Sequence, residues 1–79
     1  MNNDIFEMLK AIAVNDIGID ADKITPESNI IKDLGLDSLD IVDMLMKVEE
    51  TFGVTIDDGD VVEMKTVADV VRFIENAKA

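Results

Sequence analysis

Apolar residues along this chain gather into three runs with a helical period. In the first, Ile5, Met8, Leu9 and Ile12 recur at i, i+3, i+4 and i+7, with Asn3 or Asp4 placed to cap the start and Gly18 beyond the end. The second spans Ser38 to Phe52 and stops at Gly53, a suitable glycine for a helix C-terminus. The third opens on Thr66-Val-Ala-Asp69, which reads as a capping box, and continues with Val67, Val70, Val71 and Ile74 on one face. Valine favours strands by propensity, but the 3.6 period and the cap predict a helix here. Between the first two runs, residues 19 to 36 contain Pro26, Ser28 and Asn29 and read as a loop. Long unstructured loops are uncommon in compact domains, and this one carries Ile19, Ile24, Ile30, Ile31 and Leu34, so it is predicted to pack against the core. Val54 to Met64 holds DDGD (Asp57 to Asp60) as turn chemistry, then Val61 and Val62, and predicts one or two helical turns. The expected fold is all-α: one domain over residues 1–79, with three main helices, one short third helix and a long first loop.

The second run has two apolar sectors. At about 100° per residue, Ile41, Leu45, Val48 and Phe52 fall within roughly 60° of one another with Met44 beside them, which is a core stripe. Leu39, Val42 and Met46 form a second cluster roughly 120° away. Asp40, Asp43, Lys47 and Glu50 fill a polar arc beyond it. Two readings of the second cluster stand open. A helix in a bundle can bury two flanks, or the cluster is an exposed apolar patch with a carboxylate rim, the pattern of a protein-docking surface. Methionine suits a surface that must fit several partners.

Composition narrows the function. With 18 acidic and 7 basic residues the net charge is −11, which repels phosphate backbones and argues against nucleic acid. Residues 33 to 63 hold ten acids and the single base Lys47, so that segment carries −9 of the −11 and favours basic protein surfaces as partners. There is no cysteine or histidine, which removes disulfides, thiolate metal sites, thiol catalysis and any Ser-His chemistry. The N-terminal MNNDIFEMLKAI lacks a basic region followed by a continuous apolar stretch, so neither a secretory signal nor a membrane span is expected. A soluble, cytoplasmic monomer is the expectation.

Against that background, Ser38 in DLGLDSLD (Asp33 to Asp40) stands out. It is well placed as a helix N-cap, but Asp37 can serve as well. A nucleophilic role within this chain finds no base, since Lys32 and Lys47 come without an oxyanion signature and the G-x-S-x-G elbow is missing. The hydroxyl can instead be a substrate, because the free amides and dipole at a helix N-terminus favour a phosphodiester there.

The segment DLGLDSLDIVDMLMKVEETFGVTIDD, Asp33 to Asp58, closely resembles the acyl carrier proteins of type II fatty acid synthesis, and the resemblance extends over essentially the whole chain. Its core, D-S-L preceded by L-G-x and followed by an acidic amphipathic helix, is highly specific. The resemblance implies an antiparallel four-helix bundle in which a dedicated transferase moves phosphopantetheine from coenzyme A onto Ser38. The terminal thiol of that arm then holds acyl groups as thioesters, and the chain is a substrate of partner enzymes rather than an enzyme. It further implies that Asp37, Leu39, Asp40, Val42, Asp43, Met46, Glu49 and Glu50 meet basic patches on the fatty acid synthesis enzymes. An acyl chain would be sheltered between the second and third helices by Ile30, Leu34, Leu45, Val48, Ile56, Val61 and Met64, residues that core packing alone explains equally well. The chain departs from the family pattern in DDGDVVEMK, with a glycine and two adjacent valines where more charge is common. It departs again at Asp57, where a proline is common.

Rival readings are a specialised carrier (polyketide, D-alanyl or aminoacyl) and, outside the family, an acidic calcium-responsive interaction module. The latter would use Asp16, Gly18, Asp20, Asp22 and Glu27, but Ala21 stands where that loop needs glycine.

Overall fold

The computed structural model describes residues 2–78, which form four α-helices: α1 (Asn3–Ile12), α2 (Ser38–Phe52), α3 (Asp58–Glu63) and α4 (Val67–Lys78). Among the described residues there is no strand, only a single bridge between Asn29 and Thr66. The architecture is an all-α bundle, as the periodicity requires.

Each main helix begins where a side chain can take up its free amides. In α1 that residue is Asn2, whose Oδ1 accepts from Asp4 N at 2.9 Å and Ile5 N at 3.1 Å, so neither Asn3 nor Asp4 is the cap. The buried stripe of α1 is Ile5, Leu9 and Ile12; Met8 is exposed and does not belong to it. The helix then widens into an i→i+5 turn over Ala13–Ile17 before Gly18 reverses the chain at φ 86°. That conformation is open to glycine and strained for other residues.

Asp37 caps α2, its Oδ1 accepting from Asp40 N at 2.9 Å. At the other end Gly53 takes φ 67° and donates to Glu49 O at 2.9 Å, while Lys78 Nζ donates to Phe52 O at 3.3 Å. For α4 the box is reciprocal: Asp69 N donates to Thr66 Oγ1 at 3.2 Å and Thr66 N to Asp69 Oδ2 at 3.1 Å. DDGD is not a free turn, since α3 starts within it at Asp58 and the N–H of Asp57 donates to Asp60 Oδ2 at 3.1 Å.

One core joins α1, α2 and α4. Val48, Val70, Val71 and Ile74 are sealed from solvent, with Met44, Leu45 and Phe52 around them. The loop of residues 19–36 is part of this body. Ile19, Ile24, Ile30 and Leu36 are buried and Leu34 is half-buried against the core, whereas Ile31 points to solvent. A short 3₁₀ turn, Ala21–Lys23, shapes its first half. Ser28 is buried, but its hydroxyl donates to Lys23 O at 2.7 Å and accepts from Thr25 N at 3.0 Å, which offsets the cost of its desolvation. The second half is stitched to the α3–α4 junction by Ile30 N to Lys65 O at 2.9 Å, Val67 N to Ser28 O at 3.0 Å and Ala68 N to Pro26 O at 2.9 Å. A long loop is tolerated here because most of its apolar residues find the core and its backbone finds partners.

Candidate functional site

Ser38 is the first residue of α2 and is exposed. Because the Asp37 carboxylate takes the capping bond, the serine hydroxyl is not spent on the helix, and among the described residues it makes no hydrogen bond. The first backbone bond of α2 is donated by Ile41 to Asp37 O at 3.0 Å, and Asp40 N is taken by the Asp37 side chain. The amides of Ser38 and Leu39 are left at the positive end of the helix dipole, a donor set suited to an anionic group on the serine.

The two readings of the outward cluster on α2 resolve in favour of exposure. Leu39 is 76%, Val42 54% and Met46 53% exposed, while the inward stripe of Met44, Leu45, Val48 and Phe52 is buried and Ile41 is half-buried. The patch runs down the helix from the residue after Ser38. Asp37, Asp43 and Glu50 are exposed along it and Asp40 is half-exposed. Glu49 is half-buried instead, and its Oε2 accepts from Ile56 N at 2.8 Å, which ties the α2–α3 connection to the helix. The widened turn after α1 brings Asp16 and Ile17 against this ridge, in a shallow notch shared with Asp43, Met46 and Glu50. The sequence reading missed those two residues because a regular α1 would not present them there.

Between α2 and α3 lies a cavity of about 490 Å³, within the range of small-molecule sites. Of the seven residues expected to shelter an acyl chain, Ile30, Leu45, Val61 and Met64 line it. Leu34, Val48 and Ile56 do not: Val48 is sealed in the core, and Leu34 and Ile56 pack against the core elsewhere. Ile41, assigned to the core stripe by its spacing, is a lining residue, as are Ile31 and Val62 at the open edge. Asn29, Lys32 and Lys65 complete the rim.

The Asp69 carboxyl is held below the ordinary carboxylate range. The chief cause is the hydrogen bond from Thr66 N; burial opposes it, and Lys65 N, the Arg72 guanidinium at 2.6 Å and the Thr66 hydroxyl reinforce it. Asp69 sits at the base of α4 and braces the bundle. Among the described residues no cluster of three or more Asp, Glu, His or Cys is arranged to hold a metal, and no helix is long and apolar enough to cross a membrane.

Comparison with known proteins agrees with this geometry. The family model described as the phosphopantetheine attachment site matches residues 7–74. The chain is 45% identical over 75 residues to an acyl carrier protein of Helicobacter hepaticus, covering 95% of this chain and 99% of that one. It is 43% identical over 74 residues to an acyl carrier protein of Helicobacter pylori, covering 94% and 95%. With the family model over most of the chain and relatives this similar at nearly full length, the chain belongs to the acyl carrier protein family, whose members are carriers rather than enzymes and bear a phosphopantetheine arm.

Proposed function

We propose that Ser38 Oγ is the attachment atom and that the loaded chain delivers acyl intermediates to fatty acid synthesis enzymes in the cytoplasm. The observation that carries this reading is the division of labour at the start of α2: Asp37 caps the helix, so the neighbouring hydroxyl stays exposed and uncommitted. On loading, Ser38 Oγ forms a bond to the pantetheine-side phosphorus of coenzyme A as its phosphoanhydride P–O bond breaks, adenosine 3′,5′-bisphosphate leaves, and the hydroxyl proton passes to a base on the transferase. This chain therefore needs no histidine of its own. The amides of Ser38 and Leu39 would take the phosphate oxygens. When bound, the arm supplies a terminal thiol that holds acyl groups as thioesters.

The remaining residues divide into two tasks. Leu39, Val42 and Met46 form an apolar strip, and Asp37, Asp40, Asp43 and Glu50 give it a negative rim. That arrangement steers a basic enzyme surface to the serine and seats it there. Glu49 contributes by holding the α2–α3 connection in place. Ile30, Ile41, Leu45, Val61 and Met64 offer an apolar space for the cargo. Each methylene moved there from water gains about 0.8 kcal/mol.

Incubation with coenzyme A and a broad-specificity phosphopantetheinyl transferase should raise the intact mass by one arm, and Ser38→Ala should abolish the gain. Unchanged mass in the wild type, or a gain that survives in Ser38→Ala, overturns the assignment.

A further inference from the structure

The acids of this chain reach every described cleft but one. The cleft beside Ser28 includes Glu27 and Asp33, the one beside Gly35 includes Asp20 and Asp40, and the two others each hold three carboxylates. The cavity between α2 and α3 has none among its ten lining residues, and it has two ammonium groups instead, those of Lys32 and Lys65. Among the described residues neither lysine has a carboxylate at ion-pair distance. The two nearest along the rim, Asp33 and Asp69, lie outside the cavity lining and are held by backbone amides, Asp33 Oδ2 accepting from Asn29 N at 2.6 Å and Asp69 Oδ2 from Lys65 N at 3.1 Å. The two lysines come from different parts of the chain. The bond from Ile30 N to Lys65 O at 2.9 Å joins those two stretches of backbone and sets both lysines on one rim. Beside them, Asn29 Oδ1 accepts from Ile31 N at 3.0 Å and Lys32 N at 2.8 Å, which fixes the carboxamide and leaves its NH₂ group to donate. Lysine stems are themselves apolar and extend such a wall while the charged ends stay in water.

We infer that this cavity binds a free, untethered apolar chain ending in a carboxylate, with the chain against Ile41, Leu45, Val61 and Met64 and the head group at Lys32, Lys65 and Asn29. The inference deepens the cargo reading of the same cavity but does not depend on Ser38. Apolar burial supplies the drive and the rim selects the head group, since a carboxylate is repelled at each of the acid-lined clefts. Such a ligand is what hydrolysis of a thioester releases: water adds to the acyl carbon, the C–S bond breaks, and a carboxylate, a thiol and a proton result. A released product then competes with tethered cargo for one space.

The test uses full-length Ser38→Ala, which carries no arm, titrated with decanoate and with decanol while backbone amide shifts and heats of binding are recorded. Saturable shifts at Ile41, Leu45, Val61 and Met64 are expected, with decanoate bound about fivefold more tightly than decanol, the size expected of partly exposed ion pairs. High salt and the added pair Lys32→Gln with Lys65→Gln should each erase that preference, whereas Lys47→Gln on the outer face of α2 should keep it. If the glutamine pair also loses decanol, the pair Lys32→Arg with Lys65→Arg must retain the preference for decanoate. Equal binding of the two ligands, shifts confined to the outer face of α2, or no binding by either overturns the inference. Failure of the loading assay at Ser38 would leave this result untouched, so the two readings are separable.

Discussion

The chain contains two pairs of adjacent valines, and they meet opposite fates. Val70 and Val71 lie in α4, a helix of 12 residues, and both are sealed from solvent. Val61 and Val62 lie in α3, a helix of six residues with no buried side chain, where Val61 is half-buried and Val62 is 74% exposed. Burying a valine fully is worth about 1.5–3 kcal/mol, so the α4 pair anchors the fold and the α3 pair contributes little. Composition is the same in both; what differs is the surface each helix meets. α4 has α1 and α2 beneath it, and α3 has a cavity. The stability of this domain therefore resides in α1, α2 and α4, and the wall that faces the proposed cargo is the part least committed to the core.

The strongest challenge to that contrast is Ile74→Ala. Removing a sealed side chain should cost about 2–5 kcal/mol, enough to leave a domain of this size largely unfolded near body temperature. Urea unfolding followed by circular dichroism gives the value, and a cost below about 1 kcal/mol would mean the core is looser than its burial implies. Next in size is Thr66→Ala, which removes half of the reciprocal cap and should cost about 1 kcal/mol in the same assay. The pH dependence of Asp69 should be smaller. Its pKa is lowered on folding, so its contribution is complete above the ordinary value of 3.8 and fades as pH falls through the lower folded value. Between neutral and strongly acidic pH the wild type should thus lose more stability than Asp69→Asn. Relief of the net negative charge is nearly common to both proteins and drops out of the difference; equal losses would show that the Thr66 and Lys65 amides do not favour the ionised form. Smallest of all, Val62→Ala should change stability by less than about 0.5 kcal/mol. A cost near that of Ile74→Ala would erase the distinction between the two helices.

The sequence discloses the extent of α2, because Gly53 stops it and its inward stripe repeats cleanly, while the choice of cap between Asp37 and Ser38 is decided only by the bond from Asp40 N to Asp37 Oδ1. It discloses α4 for the same reason, with Thr66 and Asp69 at its start. The start of α1 is less legible: Asn2, Asn3 and Asp4 are all good caps in succession, and only the backbone reveals that Asn2 has the extended conformation a cap needs. The widened turn after α1 left one cue, the five-residue step from Ile12 to Ile17, which a regular helix would send to different sides. Within the candidate site, the serine and the acidic ridge are local features of a single helix and can be read from spacing. The cavity is not local. Its lining comes from the loop, α2, α3 and the α3–α4 junction, and periodicity cannot separate a core position such as Val48 from a lining position such as Leu45 three residues earlier.

The bridge between Asn29 and Thr66 has a mechanical consequence. It fastens the chain just after α3, and the carboxylate of Glu49 holds the chain just before α3 through Ile56 N. A longer guest would then tilt this short helix about two fixed pivots rather than spread the whole bundle. A spin label on exposed Asp58 would report the length of the guest, while one on exposed Glu7 of α1 would stay blind to it.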